Sequence, residues 1–167
     1  MPTELLIASQ LLLRDRVRKA DLNGVRDIVE STKFFDTEEV NVARSLVAER
    51  LRVGAASGYS FLFADLAGRS LGYTCYGRIS GTRASFDLYW IAVRPSAQGS
   101  GLGKRLLAET EARIRSEGGE RVYIETSEKE LYRGTRSFYR RSGYRKVALL
   151  GDFYAPGEAK VIYVKVL

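Results

Sequence analysis

The chain has 167 residues, 45% hydrophobic and 28% charged, with 16 Gly and 3 Pro, a balance that fits one globular domain over residues 1–167 with a core that needs no disulfide or metal staple. It contains no histidine and one cysteine, Cys75, which excludes Ser-His-Asp and Cys-His nucleophile pairs, His-ligated zinc and an internal disulfide. Twenty-seven Lys and Arg against 20 Asp and Glu give a net charge of +7, which suits a polyanionic partner, either nucleic acid or a phosphorylated cofactor.

In chain order, the apolar runs at 5–7 and 11–13 are broken by Ser9 and Gln10 and follow no basic segment. No signal peptide is expected, no run approaches the roughly 18 apolar residues of a membrane span, and a reduced cytoplasmic setting follows from the lone cysteine. Residues 11–18 read as a first strand with Arg14, Arg16 and Arg18 on one solvated face. Asp21 reads as the cap of a helix carrying Leu22, Val25, Ile28 and Val29. Asp36 and Glu39 have capping-box spacing ahead of a second helix with Val40, Ala43, Leu46, Val47 and Leu51 on one stripe. The period then changes to two over 59–65, 71–79 and 85–93, with turns at 68–70 and 80–82, which is a β-meander. Cys75, inside its second strand, reads as a small core residue.

After the meander come a glycine-rich loop and a helix with Leu102, Leu106, Leu107, Thr110 and Ile114 on one face, ending near Gly118 and Gly119. A strand at 121–126, a helix at 131–142 closed by Gly143, and strands at 145–150 and 161–166 complete the chain, with residues 151–158 as an aromatic loop. The expected fold class is α/β (α+β), in the order β-α-α-β-β-β-α-β-α-β-β: a mixed central sheet of about seven strands with helices on both faces. No repeat or linker interrupts it.

The loop reads Val93-Arg94-Pro95-Ser96-Ala97-Gln98-Gly99-Ser100-Gly101-Leu102-Gly103-Lys104. Alternate glycines let a ligand approach the backbone, the amides of a helix N-terminus favour negative charge, and Lys104 and Arg105 add to it: together, an anion cradle. The spacing lacks the G-x-G-x-x-G step of a dinucleotide site, and Gln98 stands where a Walker loop has its first glycine.

Trp90-Ile91-Ala92-Val93-Arg94-Pro95 followed by Gln98-Gly99-Ser100-Gly101-Leu102-Gly103 resembles the acetyl-coenzyme A signature of the GNAT superfamily of N-acetyltransferases. Ser137-Phe138-Tyr139-Arg140-Arg141-Ser142-Gly143-Tyr144 resembles the same superfamily's Phe-Tyr-x-x-x-Gly-Phe helix end. The resemblance implies a GNAT fold and transfer of an acetyl group from acetyl-coenzyme A to a primary amine. It implies a cofactor site at Gln98, Gly99, Ser100, Gly101, Leu102, Gly103 and Lys104, with the edge formed by Ile91, Ala92 and Val93 along the pantetheine arm, and Tyr139 as the acid that protonates the leaving thiolate. Tyr132 and Thr135 depart from the Asn and Ala of many relatives.

Direct attack by an amine needs a proton acceptor, and without histidine the candidates are Asp87 and Glu125, with Glu125 preferred. Tyr89 and Thr126 are candidates to orient the acceptor, and Phe153 and Tyr154 to wall it. Each carboxylate reads equally as an ion-pair partner for an arginine. The acceptor is expected to be a small molecule or a peptide amine, with no metal, no nucleic acid and no membrane, and a homodimer is left open. Two further readings stay beside the enzyme: a non-catalytic acyl-coenzyme A sensor of the same fold, and a basic nucleic-acid-binding module, which the scattered basic residues favour less.

Overall fold

The computed structural model describes residues 10–167; the apolar run at 5–7 lies outside them. In chain order the elements are β1 (Leu12–Arg14), α1 (Asp21–Thr32), α2 (Thr37–Val53), β2 (Ser60–Leu66), β3 (Arg69–Arg78), β4 (Ser85–Val93), α3 (Leu102–Ser116), β5 (Arg121–Ser127), α4 (Arg133–Arg141), β6 (Arg145–Ala155) and β7 (Glu158–Val166). The strands form one seven-stranded sheet in the order β1-β2-β3-β4-β5-β7-β6. The chain divides into two compact units: residues up to Tyr76 with Trp90–Thr110, and Gly77–Tyr89 with Glu111–Leu167. Among the described residues no helix is long and apolar enough to cross a membrane.

In the first unit, β1 pairs antiparallel with β2, and β2 with β3. Alternation along these strands sends one set of side chains to each face. Phe61, Phe63, Tyr73, Cys75 and Ala92 pack with Val25, Ile28 and Val29 of α1 and Val40, Ala43 and Val47 of α2. Leu62, Ala64 and Val93 pack on the other face with Leu102 and Leu106 of α3. Each fully buried Val, Leu, Ile or Phe contributes about 1.5–3 kcal/mol, so these two clusters dominate the unit's stability. The capping box of α2 forms as read, with Asp36 accepting from the Glu39 amide and Glu39 from the Asp36 amide. Gly72 is required by contact: a Cβ there would lie 2.9 Å from the Ala92 carbonyl oxygen.

The first strand corrects the sequence reading. It covers Leu12–Arg14 rather than 11–18, and Arg14 is buried at 8% exposure instead of lying on a solvated face. Its guanidinium donates from Nη1 and Nη2 to the two Asp21 oxygens at 2.9 Å and from Nε to Asp65 at 2.7 Å, and stands 4.4 Å above the Phe63 ring. Two buried carboxylates on α1 and β2 hold this arginine, and its bond to the Arg16 carbonyl curls the chain out of the strand. Asp21 is accordingly no N-cap. It occupies the first turn of α1, where it also accepts from the Arg18 amide, and the preceding Ala20 is helical without a side-chain cap.

In the second unit, β4 runs parallel to β5 with Ser85 opposite Arg121 and Asp87 opposite Tyr123, and β7 lies antiparallel between β5 and β6. The end of α3 turns at Gly118 and Gly119, where a Cβ on Gly119 would come within 2.8 Å of Phe86 and 2.9 Å of the Ile114 carbonyl oxygen. A second correction concerns the tail. Residues 151–158 are not a loop but mostly the ends of a hairpin, with β6 reaching Ala155 and β7 starting at Glu158. Pro156 and Gly157 make the turn alone, closed by the Gly157 amide donating to Asp152 at 2.7 Å. Asp152 has φ +52°, and the register slips between Leu150 and Ala155.

Candidate active site

In the first unit, β4 ends at Val93, the Arg94 amide donates to the Leu71 carbonyl, and one tight turn at Pro95–Ala97 leads into the glycine loop. The loop is pinned from within: Gln98 donates its side-chain amide to the Val93 carbonyl at 3.0 Å, and the Ser100 hydroxyl donates to the Ala97 carbonyl at 2.6 Å. Gly99 and Gly101 have φ +76° and +83°, conformations that L side chains rarely adopt. A Cβ on either would meet no protein atom within 4 Å, so the missing side chains keep open the space outside the loop. The first intrahelical bond of α3 runs from the Arg105 amide to the Gly101 carbonyl, which leaves the amides ahead of it without an intrahelical acceptor. Lys104 and Arg105 stand exposed beside them. Open backbone, free amides and two cations make a cradle for a phosphate-bearing anion. Leu102, Ala92 and Val93 send their side chains into the core, so any ligand contact from them is through the backbone.

In the second unit, the parallel ladder covers residues 85–87 and 121–123, and Tyr89 and Glu125 lie just past its end. Parallel partners share a face, so Asp87 and Tyr89 of β4 stand with Tyr123 and Glu125 of β5. The β5 to β7 register, with Glu125 opposite Ile162 and Ser127 opposite Lys160, adds Lys160 to the same face. The Lys160 ammonium donates to Glu125 at 2.5 Å, sits 3.6 Å above the Phe153 ring and 5.7 Å from that of Tyr154, and its side chain is only 11% exposed. Phe153 and Tyr154, packed edge to face at 5.1 Å, are each about half exposed. Burial, then the Glu125 carboxylate, lift the Asp87 carboxyl from its ordinary 3.8 to about 6, against the pull of Lys160. Glu125 therefore carries a counter-ion, while Asp87 is the carboxylate poised to exchange a proton near neutral pH.

Tyr139 stands on the opposite face. Its ring packs 6.1 Å from Tyr163 and 6.0 Å from Tyr144, and burial drives its phenol well above the ordinary value, so it holds its proton. Tyr144 donates to Glu111 at 2.9 Å, and Lys165 donates to the other Glu111 oxygen at 2.7 Å. Together with the Tyr144 amide, which donates to the Tyr139 carbonyl, this buried network fixes the end of α4.

The structure thus gathers Asp87, Tyr89 and Glu125 on one strand face, with Phe153 and Tyr154 brought beside Glu125 through Lys160. Strand alternation turns Thr126 to the Tyr163 face, where it is buried at 8% exposure, away from Glu125. Lys160 is the residue that sequence reasoning passed over. Within Ala159-Lys160-Val161-Ile162 it is one cation on an alternating strand, and its tie to Glu125 spans 35 positions of chain.

A glycine loop thus opens the helix α3, and the last three strands of the mixed sheet run β5-β7-β6. The acetyltransferase (GNAT) domain matches residues 57–146, more than half of the chain, and the chain belongs to that family. A crystal structure from Desulfovibrio desulfuricans assigned to the GNAT family is similar over 93% of this chain and 98% of its own, at 46% identity and TM-score 0.92. An aminoglycoside 6'-N-acetyltransferase crystallised with coenzyme A shares the fold at TM-score 0.72 and 16% identity, over 93% and 96% of the two chains. The blasticidin-S acetyltransferase of Streptomyces morookaense is 40% identical over 82 residues, 48% of this chain and 55% of that protein. The chain thus spans about half the length of this curated relative.

Proposed function

We propose that the protein is an N-acetyltransferase that moves an acetyl group from acetyl-coenzyme A to a primary amine. The observation that carries this reading is the glycine loop: two left-handed glycines that face open space and free helix amides flanked by Lys104 and Arg105. The relatives named as acetyltransferases support the reaction type. Acetyl-coenzyme A supplies an activated acyl group as a thioester when bound.

The amides of residues 99–103 hold the pyrophosphate. The Ile91 to Val93 edge pairs with the pantetheine arm. Asp87, directly or through one water, accepts the proton that the incoming ammonium must lose before its nitrogen can attack, and a carboxyl lifted to about 6 is a better base for that task than an ordinary one. Tyr139, a phenol that keeps its proton, gives it to the departing sulfur. Acid and base act from opposite faces, so in this reading the scissile bond lies past Asp87 and Tyr123, where the ladder of β4 and β5 stops.

Release of free thiol from acetyl-coenzyme A, followed across a panel of amines, peptides and amino acids, tests the reading. Amine-dependent thiol release is expected. Tight binding of acetyl-coenzyme A with no turnover on any amine would favour the sensor and overturn the enzyme.

A further inference from the structure

The two carboxylates of the strand face are not equal, and the difference lies in Lys160. Its ammonium is bonded to Glu125 and roofed by Phe153 and Tyr154, with its side chain 11% exposed. A cation held this way is not a solvated surface lysine: it cancels one carboxylate of the pair from within the fold. The surrounding charges are also matched, Lys129 with Glu158 and Lys146 with Glu128. The register also brings Arg145 to this face, in the row Asp87–Tyr123–Val164–Arg145, and Arg121, which is paired with Glu120 at 3.4 Å. The two carboxylates thus share the face with more cations than carboxylates, and Glu125 is the one bonded to Lys160. Around Asp87 stand apolar and aromatic surfaces: Tyr89 at 40% exposure, Leu150 at 41%, and the outer faces of Phe153 and Tyr154.

A polycation would bring further ammonium groups to a face whose second carboxylate is already taken, and each would meet Lys160 as a like charge. An amine with one charge on an apolar body meets one free carboxylate and rings that bury its carbon skeleton. We propose that Lys160 is a specificity-determining residue, and that the acceptor is a singly charged amine on an apolar or aromatic body rather than a polyamine. This rests on the amine-acetylating reading above and names the acceptor class for that site.

The test compares 2-phenylethylamine with 1,4-diaminobutane, by kcat/KM from thiol release and by calorimetric binding to the enzyme loaded with coenzyme A. The wild type is expected to prefer 2-phenylethylamine in both. Lys160→Met keeps the length and apolar stem but frees Glu125. It should shift the ratio of the two kcat/KM values toward the diamine by roughly fivefold, the scale of one partly exposed charge pair, and the shift should shrink with added salt. A purely structural lysine would lower both amines alike and leave the ratio unmoved, which overturns the proposal. Phe153→Leu, which keeps an apolar cover, should weaken 2-phenylethylamine more than ethanolamine. A wild type that prefers the diamine overturns the acceptor class while leaving acetyl transfer intact. Absence of turnover on every amine overturns acetyl transfer itself, and the acceptor class with it.

Discussion

Asp87 offers the sharpest test, because its environment sets both the position and the direction of a pH effect. Burial and Glu125 raise its carboxyl to about 6, and Lys160 pulls the other way. A base must be ionised to accept a proton, so kcat/KM should fall as pH drops through about 6, reaching roughly a tenth of its plateau one unit below. The amine's own ionisation, near the ordinary lysine value of about 10.4, affects the profile several units higher and leaves this limb separate. The signs for the neighbours are opposite. Glu125→Gln removes the like charge, so the acid limb should move to lower pH; Lys160→Met removes the cation, so it should move to higher pH. Asp87→Asn should abolish the limb and lower the plateau by ~100- to 10,000-fold, the usual range for a general base. Stopped-time thiol release between pH 4.5 and 8, on variants checked for folding by circular dichroism, gives the profiles. An acid limb that stays in place in both neighbour variants, or an Asp87→Asn enzyme with the wild-type plateau, would refute the assignment.

The remaining expectations follow from single contacts. Gly101→Val puts a β-branched residue at φ +83° and fills the space that the loop keeps open, so acetyl-coenzyme A affinity should fall at least tenfold by calorimetry with the fold retained. Tyr139→Phe removes a proton donor but keeps the ring that packs on Tyr144 and Tyr163; kcat should fall ~100-fold or more while cofactor affinity holds, and an unchanged kcat would make the tyrosine structural. Asp65→Asn leaves Arg14 short of a buried charge partner and should cost roughly 3 kcal/mol in urea unfolding at pH 7. Burial opposes the Asp65 carboxylate, but the bonds from Arg14 and Ser70 outweigh it and hold its pKa below the ordinary 3.8. Its contribution is therefore present above that value and lost as pH falls through the lower folded one, so the gap between wild type and Asp65→Asn should close below about pH 4.

What could be read from the chain alone was what short stretches decide. The capping box needs Asp36 and Glu39 three positions apart, the glycine loop needs a dozen residues, and strand parity placed Asp87 with Tyr89 and Glu125 with Tyr123 before any coordinates. What escaped depends on register between distant segments. Arg14, Arg16 and Arg18 carry the same local pattern as a solvated strand, and only Asp65, 51 positions away, with Asp21 turns the first of them inward. The aromatic tail reads as a loop because Pro156 and Gly157 signal a turn without saying how short it is. Between Asp87 and Glu125, parity cannot choose a base, since both carboxylates face the same way. What sets the two apart is Lys160, which the β5 to β7 register sets beside Glu125 and the β6 hairpin roofs with Phe153 and Tyr154. An ion pair across two strands thus sets the two carboxylates apart, and it does so without either residue departing from an ordinary strand pattern.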